Sequence, residues 1–512
     1  MRQHLTTLAR DGRALAVLAV PLALTQLAQI ALTTTDMVMM GGLGTAELAA
    51  GGLAVVIFVQ VRIMGAGLIT PVGNQVAAAA ARAERAARTE PAATAAAVAT
   101  VDAAAAGGGA PGGAAATGGG AAAPAGEAAS SDDEVRGVVR AALAVATLAG
   151  AVGAVLMILA GRAVGLLGQD PDVTALTRDM LAALAPGLLP SLWFQVIREF
   201  TVGMRRPQAL LQITVVSIAV NAALDWALAH GSWGLPALGL AGIGLATSIV
   251  QLFSCLALYA IARRDPLLAP LLRPGFRKAD LPGVRRLLRL GTPISATYGS
   301  EGGFFLVTAL LAGSFGAAAL AAHNAASQLI NIVFQFGVGL SQATSINVSR
   351  ELAFGDHAAA RRLRSTALAC GAAVTTVAGA LYLALPELVL RPFFDPDASA
   401  DGPGLEIATG LLVVAAVLQL VDSAQVIGVG LLRGLDDTAS GFRITLVGYW
   451  LVGLPAGWLL SGPLDTGVRG LWVGLTLGLA TTAVLLLRRY GRTLAGRTAA
   501  GVGSPARVEC EA

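Results

Sequence analysis

The chain has 512 residues, 55% of them hydrophobic and only 13% charged, with a mean hydropathy of +0.71. A soluble domain carries about 25% charged residues, so the composition excludes a water-soluble globule of this length and demands lipid around the chain. The formal net charge is +4, every basic residue but Lys278 is Arg, and three scattered cysteines (Cys255, Cys370, Cys510) exclude a disulfide framework or a thiolate metal cluster.

A membrane helix needs about 20 apolar residues. Runs of that kind predict twelve spans, near 14–40, 48–76, 136–160, 178–204, 208–229, 238–262, 287–312, 318–347, 362–390, 405–432, 440–461 and 468–487. The first is too long for a signal peptide and is kept as a span. Arg and Lys concentrate on the cytoplasmic side of membrane proteins. With both termini inside, all 35 basic residues except Arg162, Arg178, Arg391, Arg469 and Arg62 fall in inner loops or at inner helix ends. A miscount by one helix would scramble that alternation. Residues 83–131 are Ala, Gly, Thr and Pro with few large side chains, and read as a disordered cytoplasmic insertion. The expected organisation is a first six-helix lobe over 1–262 that includes this insertion, a cytoplasmic linker over 263–286, a second six-helix lobe over 287–490, and a disordered cytoplasmic tail over 491–512.

The two lobes are an internal repeat. Pro21 pairs with Pro293, residues 40–54 with 312–326, and Gly65 and Gly67 with Gly337 and Gly339, all at one offset; Gln195-Val196-Ile197 matches Gln425-Val426-Ile427 further along. Six helices per lobe is an even number, so the repeat is parallel, about an axis along the membrane normal, as in secondary transporters.

Four acidic residues lie inside the predicted spans. A carboxylate at a helix centre costs about 2.5–3.5 kcal/mol in lipid, so the four together would cost about 10–14 kcal/mol and must face a cavity or partners. Asp36 and Asp225 share a depth in the outer part of helices 1 and 5, with Asn221 one turn from Asp225 on the same face. Glu301 and Asp422 share a depth near the middle of helices 7 and 10, with Gly299, Ser300, Gly302 and Gly303 leaving room beside Glu301. Each pair also reads as an interhelical hydrogen-bond cluster that only fixes packing. Arg62 is the odd cation, either paired with a buried carboxylate or lining the cavity. Gln29 and Tyr298 are further cavity candidates. Arg198 and Glu199 read as snorkelling residues at an inner helix end, and His323 and Asn324 as cap or packing residues. No nucleotide-binding G-x-x-x-x-G-K-[ST] occurs, the four histidines are scattered, and no nucleophile–base arrangement stands out. The expectation is therefore no enzyme and no cofactor, with an ion gradient acting on buried carboxylates as the energy source.

Several stretches together resemble the multidrug and toxic compound extrusion (MATE) transporters, NorM-like branch. They are Pro21 with TTDMVMMGGLGTAELAA, then GTPIS with Glu301, LAAHN, LLRGLDDT (431–438) and YWLVGLPAG (449–457). The resemblance covers nearly the whole chain outside 83–131, which departs from the family's short inner loop. It implies an all-α, two-lobed integral membrane fold that exports cationic and lipophilic drugs in exchange for Na⁺ or H⁺. It further implies a first-lobe coupling site from Asp36, Asn221 and Asp225, and a second-lobe cation site, able to hold Na⁺, from Glu301 and Asp422. The expected setting is a bacterial plasma membrane, with small organic molecules and lipid as partners, no nucleic acid, and a monomeric chain. The rival is a lipid-linked oligosaccharide flippase of the same superfamily fold, which would present a basic cavity to a pyrophosphate head; four intramembrane acids against one Arg oppose it.

Overall fold

The computed structural model describes residues 2–106, 125–167, 170–272, 281–394 and 402–502, and every secondary-structure element among them is helical. In the first lobe α1 (Arg2–Leu43) is followed by α2 (Thr45–Ile69), which continues after a break at Thr70 as α3 (Pro71–Ala106). Then come α4 (Ala125–Ala163), α5 (Pro171–Gly203), α6 (Gln208–His230) and α7 (Gly239–Arg264). The second lobe holds α8 (Leu281–Gly313), α9 (Ala317–Phe354), α10 (His357–Ala384), the short α11 (Pro386–Leu390) and α12 (Gly402–Gly434). It ends with α13 (Thr438–Leu446), α14 (Leu454–Ser461) and α15 (Gly467–Val502). Eleven helical stretches among the described residues have the length and hydropathy to cross a bilayer. α8 has the length, 33 residues, but Ser295, Thr297, Ser300 and Glu301 lower its hydropathy. Counting α8, the twelve expected spans are all present. Large apolar side chains on the outward faces, such as Val17, Leu148 and Val377, are more than 60% exposed, which water would penalise and lipid does not.

The chain alternates direction from span to span, so Arg2 and Val502 lie at one end of the bundle, here called the inner end. The repeat is visible in detail. Pro21 and Pro293 both sit inside helices, and one turn later Thr25 and Thr297 each donate a hydroxyl to the proline's carbonyl, at 2.7 and 2.9 Å. Gly44 and Gly316 precede α2 and α9 with φ of 153° and 103°, a backbone region open to glycine. The lobes meet through equivalent contacts. A Cβ on Gly67 would lie 2.8 Å from the Cα of Ser295, and one on Gly339 would lie 2.7 Å from the nitrogen of Ala23. Residues 67 and 339, like 23 and 295, are repeat partners, so α2 against α8 and α9 against α1 are the two halves of one pseudo-symmetric seam.

Two expectations of disorder are corrected. Residues 83–106 and 125–131 lie in α3 and α4, and 491–502 lie in α15. These stretches are rich in alanine, the strongest helix former, and the glycines that weigh against a helix are concentrated elsewhere. Residues 107–124 and 503–512, also expected to be disordered, lie outside the described residues, as do 273–280 of the inter-lobe linker.

Candidate ion and substrate sites

In the outer part of α1, Thr33, Thr34 and Thr35 each donate a hydroxyl to the carbonyl one turn back, at 2.9–3.3 Å. Their polarity is thus spent within the helix, leaving Asp36 as the group that needs a partner. The partner is Asn221 of α6. Its amide nitrogen donates to Asp36 Oδ1 at 2.5 Å and to Asp225 Oδ2 at 2.7 Å, bridging two carboxyl groups that also lie within hydrogen-bonding reach of each other. Thr247 of α7 adds a longer donation to Asp36 Oδ2 at 3.4 Å. Asn221 and Asp225 are fully buried and Asp36 is 5% exposed. Asn221 Oδ1 and Asp225 Oδ1 have no hydrogen-bond partner. Two carboxyl groups this close, away from water, cannot both carry charge unless a proton or a cation stands between them.

Asp36 also forms part of the wall of a partly open cavity lined by α1, α2, α5, α6 and α7. Gln29 and Arg62 line the same cavity, with Thr33, Gln195 and Gln251 as further polar groups and Phe58 and Phe194 as apolar ones. The cavity therefore lies inside the first lobe. Tyr298 is not among its lining residues; it lies on α8 with the Arg433 guanidinium over its ring, 5.2 Å from the centroid.

In the second lobe, the Tyr449 hydroxyl lies beside Glu301 of α8, and Asp422 of α12 is the neighbouring carboxylate. Tyr449 is delivered by a widened helical turn over Val447–Gly453 between α13 and α14. Pro455 follows within α14, and its missing N–H and ring clash oblige the preceding turn to loosen. Trp450, the next residue, donates from its indole to Ser300 at 2.8 Å. The structure thus brings Glu301 and Asp422 together, as it does Asp36, Asn221 and Asp225. Among the described residues no group of three or more His, Cys, Asp and Glu side chains gathers into a metal cluster; a cation here would be held by two carboxylates and neutral oxygens.

The reading of Arg198 and Glu199 as snorkelling residues is corrected. Their side chains are 6% and 2% exposed, and they join the lobes near the inner end. Glu199 accepts from Gln195 at 2.8 Å and from Gln342 of α9 at 2.7 Å, and Arg198 donates to Gln342 at 3.0 Å. Asn74 to Ser345 at 2.9 Å and Arg205 to Asn347 at 2.8 Å also cross from the first lobe to α9, and Arg350 pairs with Glu84. Snorkelling needs an open path to the inner surface, and α9 closes over this helix end. The structural pairing considered for Arg62 is absent: it makes no ion pair with a described carboxylate, and the charge that acts on it is another cation, Arg198. His323 accepts from the Trp472 indole at 3.1 Å and packs edge-on against its ring, the packing role expected of it.

Sequence reasoning missed Thr247, Tyr449 and Arg433. Thr247 carries no spacing signal relative to Asp36, whereas Pro455 so soon after Tyr449 marked a distorted turn that could have been noticed.

The MatE family model matches residues 86–227 and 293–459, one stretch in each lobe. A probable multidrug resistance protein NorM of Agrobacterium fabrum is 34% identical over 481 residues, covering 93% of each chain. The fold is similar to a eukaryotic MATE transporter, AtDTX14 (TM-score 0.73, 19% identity, 96% of this chain and 98% of that one). It is also similar to an outward-facing conformation of a multidrug resistance MATE family transporter of the MOP superfamily (TM-score 0.77, 14% identity, 96% and 97%). The chain belongs to the MATE family, on its NorM-like branch, and is a membrane transporter rather than an enzyme.

Proposed function

We propose that this protein exports cationic and lipophilic organic compounds across a bacterial plasma membrane, both termini inside, in exchange for inward H⁺ or Na⁺. The observation that carries the reading is the buried Asp36–Asn221–Asp225 cluster with Asp36 on the wall of a cavity inside the first lobe. A proton or Na⁺ on the cluster leaves the cavity wall less negative. An organic cation in the cavity favours the fully ionised pair. The two occupants therefore compete, and each stabilises a different arrangement of the lobes, which is the differential affinity that exchange requires. For an uncharged substrate, inward movement of one charge through 100 mV supplies about 2.3 kcal/mol. At 1.4 kcal/mol per tenfold this sustains a gradient of about 50-fold. One-for-one exchange of a monovalent cation is electroneutral and draws on the ion's concentration gradient alone. Glu301, Asp422 and Tyr449 form a second cation-accepting site in the other lobe. The flippase reading draws no support from the cavity, whose wall carries the carboxylate of Asp36 beside a single guanidinium.

The test is uptake of tetraphenylphosphonium into everted membrane vesicles, with pH and Na⁺ gradients imposed separately. Accumulation driven by one of them supports the exchange. Equal accumulation with both gradients collapsed overturns it.

A further inference from the structure

Positive charge gathers where the inner ends of α10 and α15 meet. Arg361 and Arg364 lie near the start of α10, and Arg488 and Arg492 are one turn apart on α15. The two helices are tied together at this level. The Tyr490 hydroxyl donates to the carbonyl of Ala360 at 2.6 Å, and a Cβ on Gly491 would lie 3.5 Å from the Arg364 guanidinium. Arg364 and Arg361 are the charges that act on Tyr490. Among the described residues none of these four arginines forms a hydrogen bond or an ion pair, whereas Arg489 beside them is held by Asp437 at 2.8 Å. Like charges three or four residues apart weigh against a helix, so both pairs gain from an anion.

The cluster stands at the inner mouth of an apolar groove. α10 and α15 both pack on α12: Gly371 and Gly379 of α10 face Ser423 and Ala416, and Gly428 of α12 faces Leu486 of α15. At 100° per residue, the contacts with α10 and with α15 lie about 120° apart around α12, and Val413, Val417 and Leu420 fall in the arc between them. These three are 57%, 55% and 40% exposed, so the floor between α10 and α15 is open. Further in, Leu431 on the same face is fully buried, and the Tyr490–Ala360 bond closes the groove. On α15 the exposed stripe of Val473, Leu477 and Val484 continues in helical steps into Arg488 and Arg492, which marks where apolar surroundings give way to polar ones. With Gly371 level with Ser423 and Ile427, Leu420 lies about 18 Å outward of Arg364. One leaflet holds about 15 Å of hydrocarbon and about 20 Å with its headgroups.

We infer that this groove binds an anionic phospholipid of the leaflet at the inner end. An acyl chain lies along Leu420, Val417 and Val413, and the headgroup phosphate sits between Arg364 and Arg488, with Arg361 and Arg492 at its rim. Guanidinium groups match phosphate oxygens with parallel N–H donors, and basic pockets between membrane helices take such headgroups. The site lies on the outside of the second lobe, apart from the first-lobe cavity and from both carboxylate clusters.

The probe is dioleoylphosphatidylglycerol, compared with dioleoylphosphatidylcholine, which has the same chains and no net charge. Binding of each to delipidated, purified full-length protein is measured by native mass spectrometry, with folding checked by thermal unfolding. At about 5-fold per guanidinium, the wild type is expected to favour phosphatidylglycerol by about 30-fold, and Arg364→Gln with Arg488→Gln to remove most of that preference. Lysine at both positions, which keeps the charge, should retain much of it. Leu420→Trp fills the groove and should weaken both lipids together. Arg263→Gln with Arg264→Gln, at the inner end of α7, should leave the preference unchanged, and glycerophosphoglycerol, the headgroup without chains, should not displace the bound lipid. A wild type that binds the two lipids equally, or a glutamine pair at 364 and 488 with the wild-type preference, overturns the proposal. So does an equal loss in the 263 and 264 pair, which would assign the effect to the general charge of this end. Unchanged binding in Leu420→Trp, or displacement by glycerophosphoglycerol, would remove the groove from the site and overturns it as well. A dimer in detergent that the 364 and 488 pair converts to monomer would give this face to a second copy of the chain instead.

Discussion

Replacing Gln342 by alanine tests whether the inner-end seam holds the lobes in the arrangement described. Gln342 of α9 hydrogen-bonds from the second lobe to both Glu199 and Arg198 of the first, donating to Glu199 at 2.7 Å and accepting from Arg198 at 3.0 Å. A hydrogen bond to a charged group contributes about 1.5–3 kcal/mol. Both are lost in Gln342→Ala, yet Glu199 keeps Gln195 and the Arg198 ion pair, and water enters the space vacated. The net loss to the inner-closed arrangement is therefore about 1–3 kcal/mol, a 5- to 150-fold shift in the equilibrium between lobe arrangements. Leu48, in the first turns of α2, and Phe315, in the α8–α9 turn, lie near the outer ends of the two lobes and are 40% and 39% exposed. With Cys255, Cys370 and Cys510 changed to serine, spin labels at Leu48→Cys and Phe315→Cys report the outer separation. Pulsed dipolar spectroscopy should show the population with close outer ends rising on Gln342→Ala. An unchanged distance distribution in a folded protein would refute the assignment of this seam as an inner gate.

Adding a methyl group at Gly67 should act in the same direction, because its Cβ would meet the backbone of Ser295 at 2.8 Å. The same spin-label pair reads the effect, and a wild-type distribution in Gly67→Ala would show that the seam yields freely. Glu301→Gln with Asp422→Asn should export hardly worse than either single change, since two groups holding one cation fail at the same step; additive losses in a double-mutant cycle on transport rate would separate their roles. Removing residues 89–131 and closing the chain with a short glycine linker should leave insertion and export near wild type. The repeat achieves the same turn between Phe354 and His357, and loop length changes closure entropy by only about 0.6 kcal/mol per doubling. Loss of export in that deletion, with expression checked, would assign the insertion a structural task.

Much of the architecture is written in local pattern. Hydropathy and the placement of arginine determine the twelve spans, and the offset between Pro21 and Pro293 reveals the repeat that the two seams later display. Asp36, Asn221 and Asp225 were legible as a cluster because helix direction and residue count set depth, and i, i+4 spacing sets the shared face. Other features depend on tertiary neighbours that no single helix specifies. Glu199 is buried because Gln342 arrives from the other lobe, and among the described residues Arg62 has no carboxylate to pair with. Tyr449 reaches Glu301 only through the widened turn ahead of Pro455. The Ala-rich flanks of the insertion are helical because alanine, although it buries little surface, propagates a helix well.

The central claim is that the Asp36 cluster couples ion and substrate by competition, and one substitution isolates it. Asp36→Asn keeps the size of the side chain and an oxygen to accept from Asn221, but it can neither bind nor release a proton and carries no charge for Na⁺. Purified wild-type protein, on adding tetraphenylphosphonium, should release H⁺ or Na⁺ in proportion to the substrate bound, while folded Asp36→Asn releases none and exports nothing under either gradient in proteoliposomes. Export and ion release by Asp36→Asn at the wild-type level would contradict the account.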